Sequence, residues 1–286
     1  MQDLKGSTAF VTGAANGIGL GICLALARAG VTVGMADIEA AALDEAVAEI
    51  RTIAPNSRGF VLDVSDPAAM HRAAAEAEEA FGELHILVNN AGVSAGSSPV
   101  AGVSPATWDW LFGVNVYGAL NGIRAFLPRL LRHGQPGHIV NTASIGGLQV
   151  NATLRQGSYA ATKYAVVAIT EALRLDLEDT PIGVSVFCPG LVHTTLDQSA
   201  RRRPQRFGGP EASPDYKGAQ SGISLLPAIS AEEAGARVVH GIRENTLFLL
   251  THPETRAWLE ERHGRIAEGF ASLERFRRDY HGAGGR

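Results

Sequence analysis

A chain of 286 residues, 45% hydrophobic and with a net charge of −4, can form one large α/β domain or two small ones. The slightly acidic balance excludes the basic footprint that nucleic-acid binding requires. No apolar signal core follows Met1 and no run of 18 apolar residues occurs, so a cytoplasmic protein without a membrane span is expected.

The first strand-like run, Thr8–Thr12, leads into T-G-A-A-N-G-I-G (residues 12–19) and then into a helical pattern over Ile18–Ala29. Gly13, Gly17 and Gly19, with Asn16 and Ile18 between them, allow a tight turn. They let the backbone approach a pyrophosphate at the helix N-terminus, where free N–H groups and the dipole favour anions. A second run, Val31–Ala36, ends in Asp37, 18 residues beyond Gly19. A carboxylate there bonds ribose hydroxyls and repels a 2′-phosphate. The neighbouring places for a phosphate-binding base hold Asn16 and Ile38, so NAD is predicted over NADP. The competing reading is that Asp37 merely ends a strand.

Further strands are predicted at Gly59–Leu62, Ile86–Asn89, His138–Ala143, Val184–Cys188 and Leu247–Leu250. Helical patterns cover Ala40–Ile53, Pro67–Phe81, the long stretch Pro105–Arg132, and Ser158–Asp179. The early strands are apolar on both faces, which suits a parallel sheet covered on both sides. Alternating strands and helices imply right-handed crossovers and a doubly wound sheet. With no break in composition, residues 1–252 are expected to form one domain. Residues 253–286, charged and helical from Pro253 to Phe276, form a C-terminal helical extension with a frayed tail at Gly282–Gly285.

One segment departs from this rhythm. From His193 to about Pro227 the chain is polar, weakly periodic and rich in Pro, Gly and Arg, too long for an ordinary connection. Residues 193–228 are expected to be a lid, mobile without ligand and ordered over a bound substrate. With Leu148, Leu154, Leu191 and Leu196 facing the reaction, the pocket favours a bulky hydrophobic or aromatic secondary alcohol over a sugar.

The stretch S-Y-A-A-T-K-Y (158–164) places Tyr159 and Lys163 four apart in an Ala-rich helical run, on one helical face. A free phenol titrates near pH ~10, and a cation held against it favours the phenolate. On these two residues alone, an activated base and a surface Tyr above a Lys are equally good readings.

The wider set of motifs decides it. "TGAANGIG", "LDV" with Asp63, "NNAG" at 89–92, Asn115 in "GVNVYG", Ser144 in "IVNTASIGG", "YAATK", and "CPGLVHT" at 188–194 together resemble the short-chain dehydrogenase/reductase family, over about residues 5–252. The resemblance implies a Rossmann-type sheet of about seven strands in the order 3-2-1-4-5-6-7, and a catalytic tetrad of Asn115, Ser144, Tyr159 and Lys163. Tyr159 would be the general acid/base. Lys163 would lower its pKa and hold the nicotinamide ribose, Ser144 would bond the substrate oxygen, and Asn115 would hold a water linking Lys163 to solvent. The family pattern also places Asp63 and Val64 at the adenine, and Asn90, Ala91 and Gly92 along the cofactor path. Pro189, Gly190, Val192 and Thr194 would frame the nicotinamide. Homodimers or homotetramers are implied as well. "GALNGIRAFLPRLL", "QPGHIVNTASIGG" and "ENTLFLLTHPETR" are similar to the branch of Cα-dehydrogenases, which oxidise benzylic alcohols of lignin-derived aryl ethers with NAD. One departure is that Ser144 and Tyr159 lie 15 apart, about two more than is usual in the family, in what should be a substrate-facing loop.

The remaining candidates have plainer readings. Cys23 and Cys188 are expected to be buried free thiols. Arg201, Arg202 and Arg203 read as a solvated helix face, with a grip on an anionic substrate as the alternative. Trp108, Trp110 and Phe112 read as core anchors. The His residues lack metal-ligand spacing, so no metal is expected. Three rivals remain: an NADP-dependent carbonyl reductase, opposed by Asp37; a non-catalytic dinucleotide sensor, opposed by the intact tetrad; and an extended-type epimerase or dehydratase, opposed by the glycine spacing.

Overall fold

Strand Thr8–Thr12 (β1) is buried along its whole length, so both its faces need cover. The computed structural model, which describes residues 1–150, 155–211 and 226–283, shows how that cover is supplied. The expectations placed on Leu154, on the 212–225 part of the lid and on the end of the glycine tail lie outside the described residues.

Among the described residues, β1 is joined by Thr32–Asp37 (β2), Arg58–Val61 (β3), Ile86–Asn89 (β4), Gly137–Thr142 (β5), Ile182–Cys188 (β6) and Phe248–Leu250 (β7) in one parallel sheet, ordered β3-β2-β1-β4-β5-β6-β7. The register pairs Thr8 with Thr32, Ala9 with Ile86 and Thr142 with Phe187. The α-helices of the described residues are, in chain order, Gly17–Arg28 (α1), Ala40–Arg51 (α2), Pro67–Phe81 (α3), Pro105–Phe112 (α4), Gly118–Arg132 (α5), Gly157–Asp176 (α6), Ala231–Glu244 (α7) and Arg256–Ala283 (α8). This is the doubly wound arrangement that the alternation predicts, in the Rossmann-type strand order that the resemblance implies. The strand order reverses between β1 and β4, which opens a crevice at the carboxyl ends of the strands.

One layer of the core packs Ile22 and Leu26 of α1, Val47 and Ile50 of α2, and Val238 and Ile242 of α7 against the sheet. The other is built on Phe10, Phe60 and Phe126, with ring centroids 5.3 Å (Phe10–Phe60) and 4.6 Å (Phe10–Phe126) apart. Aromatic pairs at such spacings bury large apolar area with favourable edge and offset contacts.

Two features depart from the sequence reading. The helical stretch 105–132 is broken: after α4, residues Gly113–Tyr117 wind as a π-helix before α5 begins. Such single-turn bulges re-aim side chains, and this one carries Asn115. The second feature is α7, which the reading left out. Its start is a capping box, S-A-E-E, in which Ser230 Oγ accepts from Glu233 N at 3.0 Å.

The residues that flank the 193–228 segment pair with each other. Val192 and Ile229 form a β-bridge, with His193 N donating to Ile229 O at 3.1 Å and Ile229 N to Leu191 O at 3.1 Å. The chain divides into a unit Met1–Thr251, which holds the sheet, and a unit His252–Arg286. The second unit opens with a 3-10 turn, Pro253–Thr255, in which the Thr255 hydroxyl donates to His252 O at 2.7 Å, and continues as α8.

Helices α1 and α7 meet backbone to backbone. A Cβ on Gly21 would lie 2.0 Å from Ala231 O, and one on Gly235 would lie 2.1 Å from Gly21 O. Backbone atoms cannot yield as a side chain can, so a single methyl must push the helices apart. Gly235→Ala is expected to destabilise the fold by about 2–3 kcal/mol, measured by urea denaturation; a loss within about 0.5 kcal/mol, the range of an innocuous surface change, would contradict this packing account.

Candidate active site

The crevice is a cleft of about 760 Å³, and every position expected to contact a cofactor, from Gly13 to Thr194, lines it. At one end the glycine turn joins β1 to α1. Gly13 has φ +64°, and a Cβ there would lie 2.8 Å from Ala91 Cα, so only glycine fits. Asn90 Nδ2 donates to the Thr12 and Gly13 carbonyls, both at 3.2 Å, and Thr12 Oγ1 accepts from Asn90 N and Ala91 N. Asn16, the residue before α1, makes no side-chain cap bond, which leaves the helix's first-turn amides to the cleft.

Asp37 closes β2 beside this turn. Its Oδ2 accepts from Ala15 N at 3.0 Å and its Oδ1 from Glu39 N at 3.1 Å, so each oxygen keeps capacity for a further donor. Asp63 accepts from Ser65 N at 2.9 Å and pairs with Arg206 at 2.7 Å. Val64 is held by its carbonyl, which accepts from Asn121 Nδ2 at 2.9 Å. An uncapped helix N-terminus, a glycine cradle and a carboxylate at the second strand fit the diphosphate and ribose of a nicotinamide dinucleotide.

At the other end the tetrad residues converge. Ser144 follows β5, and its Oγ accepts from Gly146 N at 3.1 Å. Tyr159 sits in the first turn of α6, with Lys163 one turn later. A Cβ on Gly146 would lie 3.6 Å from Ser144 Oγ and 4.0 Å from Tyr159 Cε1, so the two side chains border the same small space. Lys163 Nζ lies 5.6 Å from the Tyr159 ring centroid and donates to Thr142 O at 2.9 Å. Lys163 is only 3% exposed, and burial pulls its ammonium down to about 8.

The sequence model of the family described as short chain dehydrogenase matches residues 7–205. The chain belongs to the short-chain dehydrogenase family. It is similar to a C alpha-dehydrogenase of Sphingobium sp., 34% identical over 280 residues, 96% of this chain and 90% of that one. It is also similar to a galactitol 2-dehydrogenase (L-tagatose-forming) of Cereibacter sphaeroides, 41% identical over 204 residues, 71% of this chain and 78% of that one. Among solved structures, a short chain dehydrogenase/reductase from Burkholderia phymatum in complex with NAD matches with a TM-score of 0.86 and 34% identity, over 94% of this chain and 97% of that chain.

Several expectations change once the dehydrogenase's side chains are placed. Asn115 is a tie. Its Nδ2 donates to Val93 O at 3.0 Å and to Thr162 Oγ1 at 2.9 Å, while its Oδ1 accepts from Val93 N at 2.8 Å. Both side-chain N–H donors are therefore engaged within the protein. The arginine run does not share one solvated face: Arg201 is exposed, Arg202 lines the cleft, and Arg203 is 3% exposed, its guanidinium 5.4 Å from the Trp110 ring centre and 2.8 Å from Glu211. A 3-10 turn over Leu196–Arg202 spreads the three around the segment, which a helical wheel could not show.

Of the expected pocket leucines, Leu191 and Leu196 line the cleft, whereas Leu148 packs on Ala143, Val166 and Val167. Trp110 is buried and also lines the cleft, so it is more than a core anchor, while Trp108 and Phe112 pair with each other at 6.0 Å. Cys188 is buried beside Val186, and burial pushes its thiol up to about 12, which makes it unreactive. Glu39 and Arg206, at the cofactor end, were missed because their relevance depends on a partner far away in sequence.

The depressed Lys163 has a measurable consequence. An unfolded Lys titrates near ~10.4, so between about pH 8 and that value the folded chain has released a proton that the unfolded chain still binds. Stability from this residue therefore rises with pH across that window. Lys163→Met removes the effect, and its stability relative to wild type is expected to fall by about 1–2 kcal/mol from pH 7 to pH 9.5. Urea denaturation of both proteins at the two pH values measures it; a pH-independent difference would contradict the buried ammonium.

Proposed function

We propose that this dehydrogenase uses NAD to interconvert a bulky, largely apolar secondary alcohol and its ketone, with Tyr159 as the general acid/base. The observation that carries the reading is one cleft with Asp37 and the glycine turn at one end and Ser144, Tyr159 and Lys163 at the other. Bound nicotinamide supplies the hydride chemistry. Tyr159 removes the hydroxyl proton as the carbinol C–H is lost, and returns it in the reverse direction. The buried Lys163 ammonium favours the phenolate, and its low hydration makes that effect larger than in water. Ser144 donates to the substrate oxygen and steadies charge developing there. Asn115 fastens Val93 to Thr162 of α6, the helix that carries Tyr159 and Lys163.

Preference for NAD rests on Asp37, whose oxygens retain lone pairs for ribose hydroxyls and whose charge opposes a 2′-phosphate. The substrate reading rests on Val93, Trp110, Val114, Ile145, Leu191 and Leu196, apolar side chains that line the cleft and suit a bulky apolar alcohol better than a polyol, although Ser94, Gln156 and Asp197 line it as well. We take the likeness to the C alpha-dehydrogenase as the better guide to this end of the cleft than the likeness to the galactitol enzyme.

Steady-state kinetics with NAD against aryl carbinols, alicyclic alcohols and polyols tests the substrate class; a polyol with the highest kcat/KM would sink it. Tyr159→Phe should lower turnover by at least ~10² with cofactor affinity nearly unchanged, and retention of a tenth of the activity would point to another base. Asp37→Ala should erode the NAD preference in kcat/KM; an unchanged NAD/NADP ratio would remove Asp37 from the ribose.

A further inference from the structure

The segment that follows β6 returns a cation to the end of the cleft where local sequence supplies none. Arg202 lines the cleft together with Asp37 and Ile38, and its Nε lies 2.6 Å from Glu39 Oε2. Its Nη2 donates to Thr195 Oγ1 at 3.3 Å, and that hydroxyl donates to Asn16 Oδ1 at 3.1 Å. The guanidinium therefore stands between the glycine turn and the end of β2. Glu39 is fixed from its own side, because its N–H donates to Asp37 Oδ1 at 3.1 Å and its side chain makes no cap bond to α2. The two side chains are 29% and 34% exposed, so the pair is partly shielded from water and accessible from the cleft.

We propose that Glu39 is a cofactor-specificity residue, which occupies the Arg202 guanidinium and so withholds it from a ribose 2′-phosphate. The proposal rests on reading Asp37 as the ribose-binding carboxylate. A guanidinium meets a carboxylate and a phosphate with the same forked donors, so the two anions compete for one set of N–H groups. A phosphate monoester brings close to two negative charges at neutral pH. At this end of the cleft it would meet the carboxylates of Asp37, Glu39 and Asp63 against the guanidiniums of Arg202 and Arg206, the latter already 2.7 Å from Asp63. With Glu39 neutral, the Asp63–Arg206 pair is untouched and Arg202 becomes available. Discrimination against NADP is then shared between Asp37, which repels the phosphate, and Glu39, which removes its natural partner.

The experiment compares wild type, Glu39→Gln, Arg202→Gln and the double variant, all with Asp37 intact, by calorimetric titration of the full chain with NAD and with NADP, without substrate. Glu39→Gln is expected to tighten NADP relative to NAD by about tenfold, the size of one charge-assisted hydrogen bond, and the double variant is expected to lose that gain. If Glu39→Gln moves both cofactors equally or neither, the pair only fastens the segment and the proposal is wrong. A gain that persists in the double variant overturns it too, since some other cation would then hold the phosphate. A wild-type protein that binds NADP more tightly than NAD would overturn the NAD reading instead; the role of Glu39 is scored on the change its removal causes and on the dependence of that change on Arg202.

Discussion

The Tyr159–Lys163 end of the dehydrogenase's cleft depends on keeping one ammonium out of water. Lys163 is buried, donates to the Thr142 carbonyl at the end of β5 and lies beside the Tyr159 ring. Desolvating a charge is costly unless strong acceptors replace its water, so the surrounding backbone is built to very close tolerances. A Cβ on Gly92 would stand 3.3 Å from Nζ, and one on Gly147 would stand 2.6 Å from the Lys163 carbonyl oxygen. The loops after β4 and β5 thus close on α6 at distances that larger residues would prevent. The π-helical turn adds the third support, because it lets Asn115 reach Val93 and Thr162 at once. Thr162 in turn donates to the Tyr159 carbonyl at 2.7 Å. A cation that is expensive to bury is held by elements that a parallel sheet already brings together at its carboxyl edge.

What was legible in the sequence was local. The glycine turn, Asp37 and the Tyr159–Lys163 pair each lie within one turn or at one strand end, so spacing alone carries their geometry. The strands were legible because both faces are apolar, and their bounds differ from the structure by a residue or two, as where β2 runs Thr32–Asp37. The π-turn was not legible: "FGVNVYG" has ordinary helical periodicity, and the bulge exists because Asn115 finds its partners across 22 and 47 residues. Helix α7 could have been found. Ser230 and Glu233 announce its start, and Ala234, Val238 and Ile242 fall at helical spacing; Gly235 weakens its face until α1 packs against it.

Arginines 201 to 203 show the limit most clearly. Three identical neighbours meet solvent, a carboxylate in the cleft, and an indole ring. Composition predicts a solvated cluster because most such runs are solvated; the outcome here was set by Glu39, Trp110 and Glu211, of which only Glu211 is near in sequence.

The same short segment therefore has contacts of three kinds along the cleft. Arg202 and Arg206 engage Glu39 and Asp63 at the cofactor rim, Arg203 is anchored on the Trp110 ring, and Leu196 adds apolar surface to the cleft lining. The chain just before it is paired to Ile229 through Val192, and it is fastened again by the ion pairs of Arg202, Arg203 and Arg206. Between these points a displacement of the rim contacts must move Leu196 as well, because it begins the 3-10 turn that Arg202 ends. The Arg202 rim and the Leu196 lining are on one piece of chain, so the charges proposed to select the dinucleotide also help to set the apolar wall of the cleft.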